Sequence, residues 1–314
     1  MVLNMKVIRS LHNLKLYLGE QKVAVTIGNY DGVHRGHQVI IQLLKSKASE
    51  LGLPTLVVTF EPQPEEFFAG DRTKRLFGLR DKLAVFSQDG VEFVLILPFN
   101  QKLATLSAQE FATNILIKSI NIKYLVIGDD FAFGHQREGG FQLLTELANR
   151  YQFGLAQLDS FRIDGVRVSS TLVRNALLAD NLKLAARLLG RLYAVNGRVV
   201  HGKHLGRSLG FPTANLHLKH ELPLSGVYLV KVRVFNHKNL FGIANIGFRP
   251  TFAGEHKSFE VYIFDFNQEI YYNRVTVEFC HKIRDERRFY SITALQDQIN
   301  QDLQVAYRLV AEYQ

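Results

Sequence analysis

The sequence predicts an α/β protein in two parts, an N-terminal doubly wound parallel-sheet domain followed by a small antiparallel β-barrel with a terminal helix. Three observations predict it. From about Lys22 to Asn175, short apolar runs alternate with segments of helical period, the pattern of a parallel sheet covered by helices on both faces. Beyond about Tyr193 the runs are of β type only, separated by Gly, Pro and Asn turns, as in a small closed barrel. One further segment of helical period follows, from about Ile292 to Glu312.

In chain order, the strands of the first part are KVAVTIG, TLVVTF, FVLILP, YLVIG and GLAQLD. Its helices are HQVIIQLLKSKASEL, LRDKLAVFSQD, AQEFATNILIKS and FQLLTELANR. Ligands of such sheets sit at the carboxyl ends of the strands. The stretch NLKLAARLLGR reads as a short connecting helix, so the boundary falls within Asp180 to Arg191 and divides the chain into 1–185 and 186–314. The second part supplies YAVNGRVVHG, GVYLVKVRVF, LFGIANIG, FEVYIFDF and RVTVEF as strands.

At 314 residues, 47% hydrophobic and 21% charged, the chain has the composition of a globular protein with room for two cores. No apolar run approaches the roughly 18 residues of a membrane span, and MVLNMKVIRSLHNLKL alternates charge with single apolar residues where a signal peptide needs an apolar stretch. A cytoplasmic protein without a membrane partner is expected. The single cysteine, Cys280, excludes an internal disulfide. A formal charge of +9 attracts anions, whether nucleotides, phosphates or nucleic acid, without choosing among them. The densest basic stretch, RTKRLFGLRDK (Arg72 to Lys82), reads as a solvated helix face.

The first candidate site is TIGNYDGVHRGH, Thr26 to His37, where an apolar strand gives way to a helix beginning near Gly36. Gly28 and Gly32 allow positive φ or close backbone approach, and Asp31 suits a tight turn. A helix start offers free N–H groups and partial positive charge to a phosphate. His34 and His37, at i and i+3, project on one side of that start, where they can donate to phosphate oxygens. Two other readings stay open here: surface turn histidines, and a zinc site, for which no further ligands stand nearby in the chain.

The stretch resembles the H-x-G-H signature of the nucleotidyltransferase superfamily, in the form seen in bacterial bifunctional riboflavin kinase/FAD synthetases. Tyr30 replaces the Phe usual there and adds a hydroxyl that needs a partner. TFEPQPEEFF (Thr59 to Phe68) resembles the loop after the family's second strand, and IGDDFAFGHQREGG (Ile127 to Gly140) the loop after its fourth. RVSSTLVRNAL resembles the family's S-S-T-x-I/V-R motif. By residue type alone, Ser169 or Ser170 is a helix N-cap, and Arg174, one turn in, could reach a phosphate as a planar fork. The resemblance implies that His34, His37 and Arg174 act on ATP phosphates, with Gly28, Asp31, Gly32, Gly36, Ser170 and Thr171 in the phosphate site. It places Pro62, Asp129, Asp130 and Phe131 in flavin or nucleotide loops, although the two acids also suit plain turns. An anionic phosphate nucleophile needs no general base, so the lack of a catalytic triad is expected.

GRVVHGKH (Gly197 to His204) is a near-miss for a phosphate-binding Walker loop, lacking both the Ser or Thr and the helix that must follow. GKHLGRSLGFPTANL then carries glycines at 202, 206 and 210 before Thr213 and Asn215. Two residues apart in an extended segment, those oxygens share a face and suit a hard cation; the plain alternative is a turn. G-F-P-T-A-N-L, GVYLVKV, ANIGFRPTF, FEVYIFDF and VEFCHKIRDERRF resemble the riboflavin kinase module in its order. That resemblance implies Thr213 and Asn215 as Mg²⁺ ligands with ATP as co-substrate, Gly202 and Gly206 in the ATP loop, and Glu260 as general base. Tyr272 stands where the family has glycine. The chain is thus expected to comprise an FMN adenylyltransferase domain (1–185) and a riboflavin kinase domain (186–314). Riboflavin, FMN, FAD and ATP are its expected partners and nucleic acid is not, with the oligomeric state open. Activity in one half only, or a non-enzymatic nucleotide- or RNA-binding protein, are the competing readings.

Overall fold

The computed structural model describes residues 5–69, 75–202, 210–235, 237–251 and 254–313. Two compact units emerge, the first formed by Met1–Thr73 with Lys82–Ser170, the second by Lys74–Asp81 with Thr171–Gln314.

The first unit runs β1 (Lys6–Ile8), α1 (Leu11–Leu18), β2 (Val23–Ile27), α2 (Arg35–Leu51), β3 (Thr55–Glu61), α3 (Pro64–Ala69), α4 (Leu79–Gln88) and β4 (Phe93–Pro98). After α5 (Gln101–Ala104), α6 (Ala108–Glu110) passes into π-helical turns over Phe111–Ser119. Then come β5 (Ile122–Gly128), α7 (Phe141–Tyr151), β6 (Gly154–Leu158) and the short hairpin β7 (Arg162–Ile163) and β8 (Val166–Arg167). The sheet order is β1-β4-β3-β2-β5-β6, with every pair parallel. Strands β2 and β3 are buried almost end to end, as the unbroken apolar runs require of strands covered on both faces. Helix α2 turns Ile41, Leu44 and Ala48 to the core and stops at Gly52, which takes the left-handed conformation at φ 64° and returns its N–H to Ala48 O.

The second unit continues with α8 (Ser170–Leu178), α9 (Leu182–Leu189), β9 (Ala194–Val200), β10 (Ala214–His217), β11 (Gly226–Val234), β12 (His237–Thr251), β13 (Gly254–Ile263), β14 (Arg274–Arg284) and α10 (Ile292–Val310). The six strands close antiparallel as β10-β13-β12-β11-β14-β9. The expected α/β architecture of parallel sheet, barrel and terminal helix is therefore the observed one. Strands β1 and β10 were not expected, being three and four residues long, too short for period-2 alternation to show.

The basic stretch before α4 is not a solvated face. Leu76, Phe77, Asp81 and Lys82 are buried; Arg72 to Lys74 lie outside the described residues. Within the second unit, Phe77 stacks on Tyr193, whose hydroxyl donates to Leu76 O at 2.8 Å. The Asp81 carboxylate accepts from Asn196 N at 2.8 Å, Asn196 Nδ2 at 2.7 Å and Gly78 N at 3.0 Å. Burial raises its pKa, and those hydrogen bonds act in the opposite direction. Amphipathic periodicity cannot reveal such burial, because a buried charge is decided by distant partners.

Helix α10 is fastened by apolar and ionic contacts. Ala306 is buried and Tyr307 lies against Phe264, ring centroids 4.6 Å apart. Asp302, 4% exposed, receives the Arg284 guanidinium through Nε at 2.9 Å and Nη2 at 2.8 Å, and Gln298 Nε2 at 2.9 Å. Cys280 belongs to the same core, and burial pushes its thiol up to about 11, which keeps it protonated and inert. Removing one partner of a buried ion pair leaves the other charge uncompensated, at a cost of about 3–5 kcal/mol. Arg284→Met should lower the stability of the second unit by that amount, read as a shift of its urea transition; an unshifted transition would show that α10 is held by its apolar face alone.

Candidate active sites

The loop between β2 and α2 is built from four backbone constraints. Tyr30 and Val33 take positive φ, 51° and 41°, although neither is glycine, and Gly32 lies at 79°. Gly28 has no such φ; its lack of a side chain admits the Tyr30 ring, which a Cβ would meet at 3.3 Å. Four carbonyls of this strained turn are held by donors. Asn29 O accepts from Thr59 Oγ1 at 3.3 Å and from Lys82 Nζ at 2.8 Å. Tyr30 O accepts from Val33 N at 3.2 Å, Asp31 O from Ser170 Oγ at 2.9 Å, and Val33 O from Gln38 Nε2 at 2.9 Å. In a planar trans peptide the N–H points opposite to the preceding C=O. Fixing these carbonyls therefore fixes the direction of the Tyr30, Asp31, Gly32 and His34 N–H groups.

His34 is the N-cap of α2: its Nδ1 accepts from His37 N at 3.4 Å. An accepting Nδ1 leaves the proton of a neutral imidazole on Nε2, which makes that atom a donor. The His34 and His37 rings stack at 3.7 Å, and a Cβ at Gly36 would stand 3.2 Å from the His34 ring. The Tyr30 ring lies 4.9 Å from that of His37. Its hydroxyl finds the partner it needs in Thr26 Oγ1 at 2.7 Å, while Thr26 donates onward to Val126 O of β5 at 2.8 Å. Burial keeps the phenol protonated, pushing its pKa well above the usual range, and the bond to Thr26 offsets only part of that shift. Gly28, Asp31, Gly32, His34, Gly36, His37 and Ser170 thus belong to one constellation. Thr171 and Arg174 follow on α8, which begins at Ser170.

At the carboxyl ends of β3 and β4, sequence reasoning picked out Pro62, which follows a cis peptide. It missed the aromatic group around it. Phe60 and Phe67 both meet Phe99 edge-on, at 5.7 and 5.4 Å, and Phe68, 71% exposed, meets Phe67 at 5.3 Å. The only sequence signal was the density of Phe in TFEPQPEEFF and LPFN. Asp129 accepts from Ser160 Oγ and N, and those bonds, the hydroxyl's first, hold its carboxyl below the usual range. Asp130 pairs with Arg167 at 2.6 Å, and Phe131 stacks on Phe133 at 5.4 Å. These acids order their loop whether or not they touch a ligand.

In the second unit Thr213 Oγ1 donates to Glu260 Oε2 at 3.1 Å, and Asn215 stands opposite Glu260 across β10 and β13. Gly202 leaves room for the Asn215 amide, which any Cβ there would strike. Four candidate residues thereby converge, while Gly206 lies outside the described residues. Phe211, not singled out from sequence, meets Tyr262 edge-on at 5.9 Å beside Glu260. Tyr272, in place of the family's glycine, keeps the positive φ that favours glycine, 63°, with the Arg198 guanidinium 5.5 Å from its ring. Among the described residues no group of three or more His, Cys, Asp or Glu is placed to hold a metal ion. The oxygens of Thr213 and Asn215 nonetheless suit Mg²⁺, a hard cation that keeps several waters and takes its remaining ligands from phosphates. No helix among the described residues is long and apolar enough to cross a membrane.

Comparison with known proteins gives the chain relatives over its whole length. Residues 18–172 match the FAD synthetase family model and residues 189–310 the riboflavin kinase family model. The bifunctional riboflavin kinase/FMN adenylyltransferase of Escherichia coli K12 is 45% identical over 300 residues, covering 95% of this chain and 96% of that protein. The protein of the same description from Pseudomonas fluorescens is 46% identical over 310 residues, 98% of each. A crystal structure from Streptococcus pneumoniae, described as a macrolide-efflux protein, superposes with a TM-score of 0.82 at 34% identity, over 96% of this chain and 99% of its own. The family models and the curated relatives agree with one another and not with that last description.

The Tyr30 hydroxyl is a structural addition, since it faces Thr26 and not the loop's open side. Tyr30→Phe should cost about 0.5–1.5 kcal/mol, the net worth of one hydrogen bond, with no change in the chemistry of the site. Thermal unfolding of the purified variant measures it, and a loss several times larger would mean that the hydroxyl holds the loop itself.

Proposed function

We propose a division of labour from the premise that the chain belongs to the bifunctional riboflavin kinase/FMN adenylyltransferase family. As a member it phosphorylates riboflavin to FMN with ATP and adenylylates FMN to FAD with release of pyrophosphate. The first activity is assigned to residues 186–314 and the second to 1–185. The observation that carries this assignment is the presence of two separate constellations, one in each unit, each with the chemistry of one reaction.

In adenylyl transfer a phosphate oxygen of FMN forms a bond to the α-phosphorus of ATP while the bond from that phosphorus to the bridging oxygen breaks, and pyrophosphate leaves. The nucleophile is already an anion, so the site's work is alignment and stabilisation of charge. His34 Nε2, the His37 ring and the start of α2 supply donors and positive charge for the phosphates; the part of Arg174 rests on the family resemblance alone. Phe68 and its aromatic neighbours suit the face of the flavin ring, and Pro62 and Phe131 are assigned to the flavin or nucleotide loops.

In riboflavin phosphorylation the nucleophile is a neutral hydroxyl. Glu260 takes its proton as the oxygen attacks the γ-phosphorus and ADP leaves. Thr213, donating to Glu260 Oε2, keeps the carboxylate oriented. Thr213 and Asn215 are the residues we assign to Mg²⁺, which when bound neutralises charge on the ATP phosphates. Gly202 and Gly206 belong to the ATP loop.

Incubating purified protein with riboflavin, ATP and Mg²⁺ and separating the flavins tests the whole reading: FMN and then FAD should accumulate. His37→Ala is expected to abolish FAD formation while FMN still forms, and loss of both by a folded protein would count against separate sites. General base catalysis contributes on the order of 10²- to 10⁴-fold. Glu260→Gln should therefore lower riboflavin phosphorylation by about that factor, chiefly in kcat, with FMN adenylylation near wild type. Should the Gln variant phosphorylate at close to the normal rate, Glu260 is only a strand residue.

A further inference from the structure

Lys82 is 0% exposed, in the stretch whose sequence reads as a solvated face. A buried ammonium is costly unless its surroundings compensate it, so a lysine at such a position calls for a reason. A partner of its ammonium supplies one. Lys82 Nζ donates to Asn29 O at 2.8 Å, and the same carbonyl accepts from Thr59 Oγ1 at 3.3 Å. Asn29 precedes the Tyr30–Val33 turn, in which Tyr30, Gly32 and Val33 all have positive φ. A bulky residue held there costs of order 1–3 kcal/mol and persists only where the surroundings over-determine it.

We propose that Lys82 is a positioning residue for adenylyl transfer, one that acts by pinning the Asn29 carbonyl and so aiming the phosphate-facing side of the loop. The inference rests on the reading that this loop receives the phosphates of ATP. Two physical effects run in the same direction. A carbonyl turned toward the phosphates would oppose them with its negative end; held by Lys82 it is turned to the protein interior, and the Tyr30 N–H is directed the other way. The strained turn is also kept from relaxing, so that His34 and His37, which follow it directly, keep their stacked arrangement at 3.7 Å. A charged donor makes the stronger of the two ties, because hydrogen bonds from ionised groups are roughly twice as strong as neutral ones. Thr59, neutral and farther, is the auxiliary.

The test uses the full-length protein, with riboflavin phosphorylation in the same sample as the control for folding. Lys82→Met keeps the length of the side chain and removes donor and charge; Lys82→Gln keeps an N–H donor without the charge. A misplacement of about 1 Å can cost on the order of 10²-fold. Lys82→Met is therefore expected to lower kcat/KM for ATP in FMN adenylylation by about that factor, with KM for ATP raised and KM for FMN unchanged, while phosphorylation stays within about twofold. Lys82→Gln should recover about tenfold of the loss, the worth of one well-made hydrogen bond. Should both lysine variants fail to fold, Thr59→Val decides by the same parameters, with an expected rise of about threefold in KM for ATP, the worth of a weak hydrogen bond.

The proposal is overturned if Lys82→Met keeps its KM for ATP, if both activities fall together with the folded fraction, or if Gln is no better than Met. It is equally overturned, where neither lysine variant folds, by a Thr59→Val enzyme with normal KM for ATP. His37→Ala is measured alongside. If that variant still makes FAD at the normal rate, the reading of the loop as a phosphate site has failed; if only the Lys82 expectations fail, the loop reading stands and the positioning role does not.

Discussion

A loop that receives an anion on its backbone must first dispose of its own carbonyl oxygens. Between β2 and α2, in the loop proposed for that part, the carbonyls of Asn29, Tyr30, Asp31 and Val33 are met by donors from Thr59, Lys82, Val33, Ser170 and Gln38. The rest of the first unit is arranged to supply them. Strand β3 brings Thr59, α4 brings Lys82, and Ser170, the last residue of the first unit, reaches Asp31. The sheet order places β3 and β5 on either side of β2, so the loop emerges between neighbours that can hold it. Residues at positive φ without being glycine are tolerable only under such restraint.

The proposed assignment sets the two units different chemical problems, with correspondingly different parts. Where the nucleophile is a phosphate, donors and a helix start suffice, and the first constellation offers the His34 cap and the start of α2. Where it is a hydroxyl, a base is needed, and the second constellation centres on Glu260 with Thr213 donating to it. Positively charged and neutral donors dominate one site, hard oxygen atoms the other.

The central elements were legible in the sequence because burial on both faces leaves a continuous apolar run, as in VAVTI and TLVVTF. Strands of three or four residues leave no such trace, and β1 and β10 were missed. The residues of the first loop could be named, yet the partners that tie it are 30, 53 and 139 residues away in sequence. No local pattern announces them. Lys82 shows the limit most clearly: its neighbours in the chain suggest a surface, and only the fold makes it interior. The added hydroxyl of Tyr30 was a readable question, and its answer lay four residues back at Thr26. At Tyr272 the backbone conformation outlasts the glycine that would have eased it. Thr213 and Asn215 were readable as a pair on one face, whereas Phe211 and the Phe68 group needed three dimensions.

The assignment of Lys74–Asp81 to the second unit has a consequence for the order of events at the ribosome. Leu76 and Asp81 leave the exit tunnel 117 and 115 residues before Tyr193 and Asn196, the residues that complete them. While translation fills that interval, Leu76 and Phe77, buried in the finished protein, have no cover from their own unit. The nascent first unit therefore carries an apolar strip that belongs to its successor, a natural place for a chaperone to hold on. A scission after residue 170 or 185 would leave this strip on the piece it does not belong to.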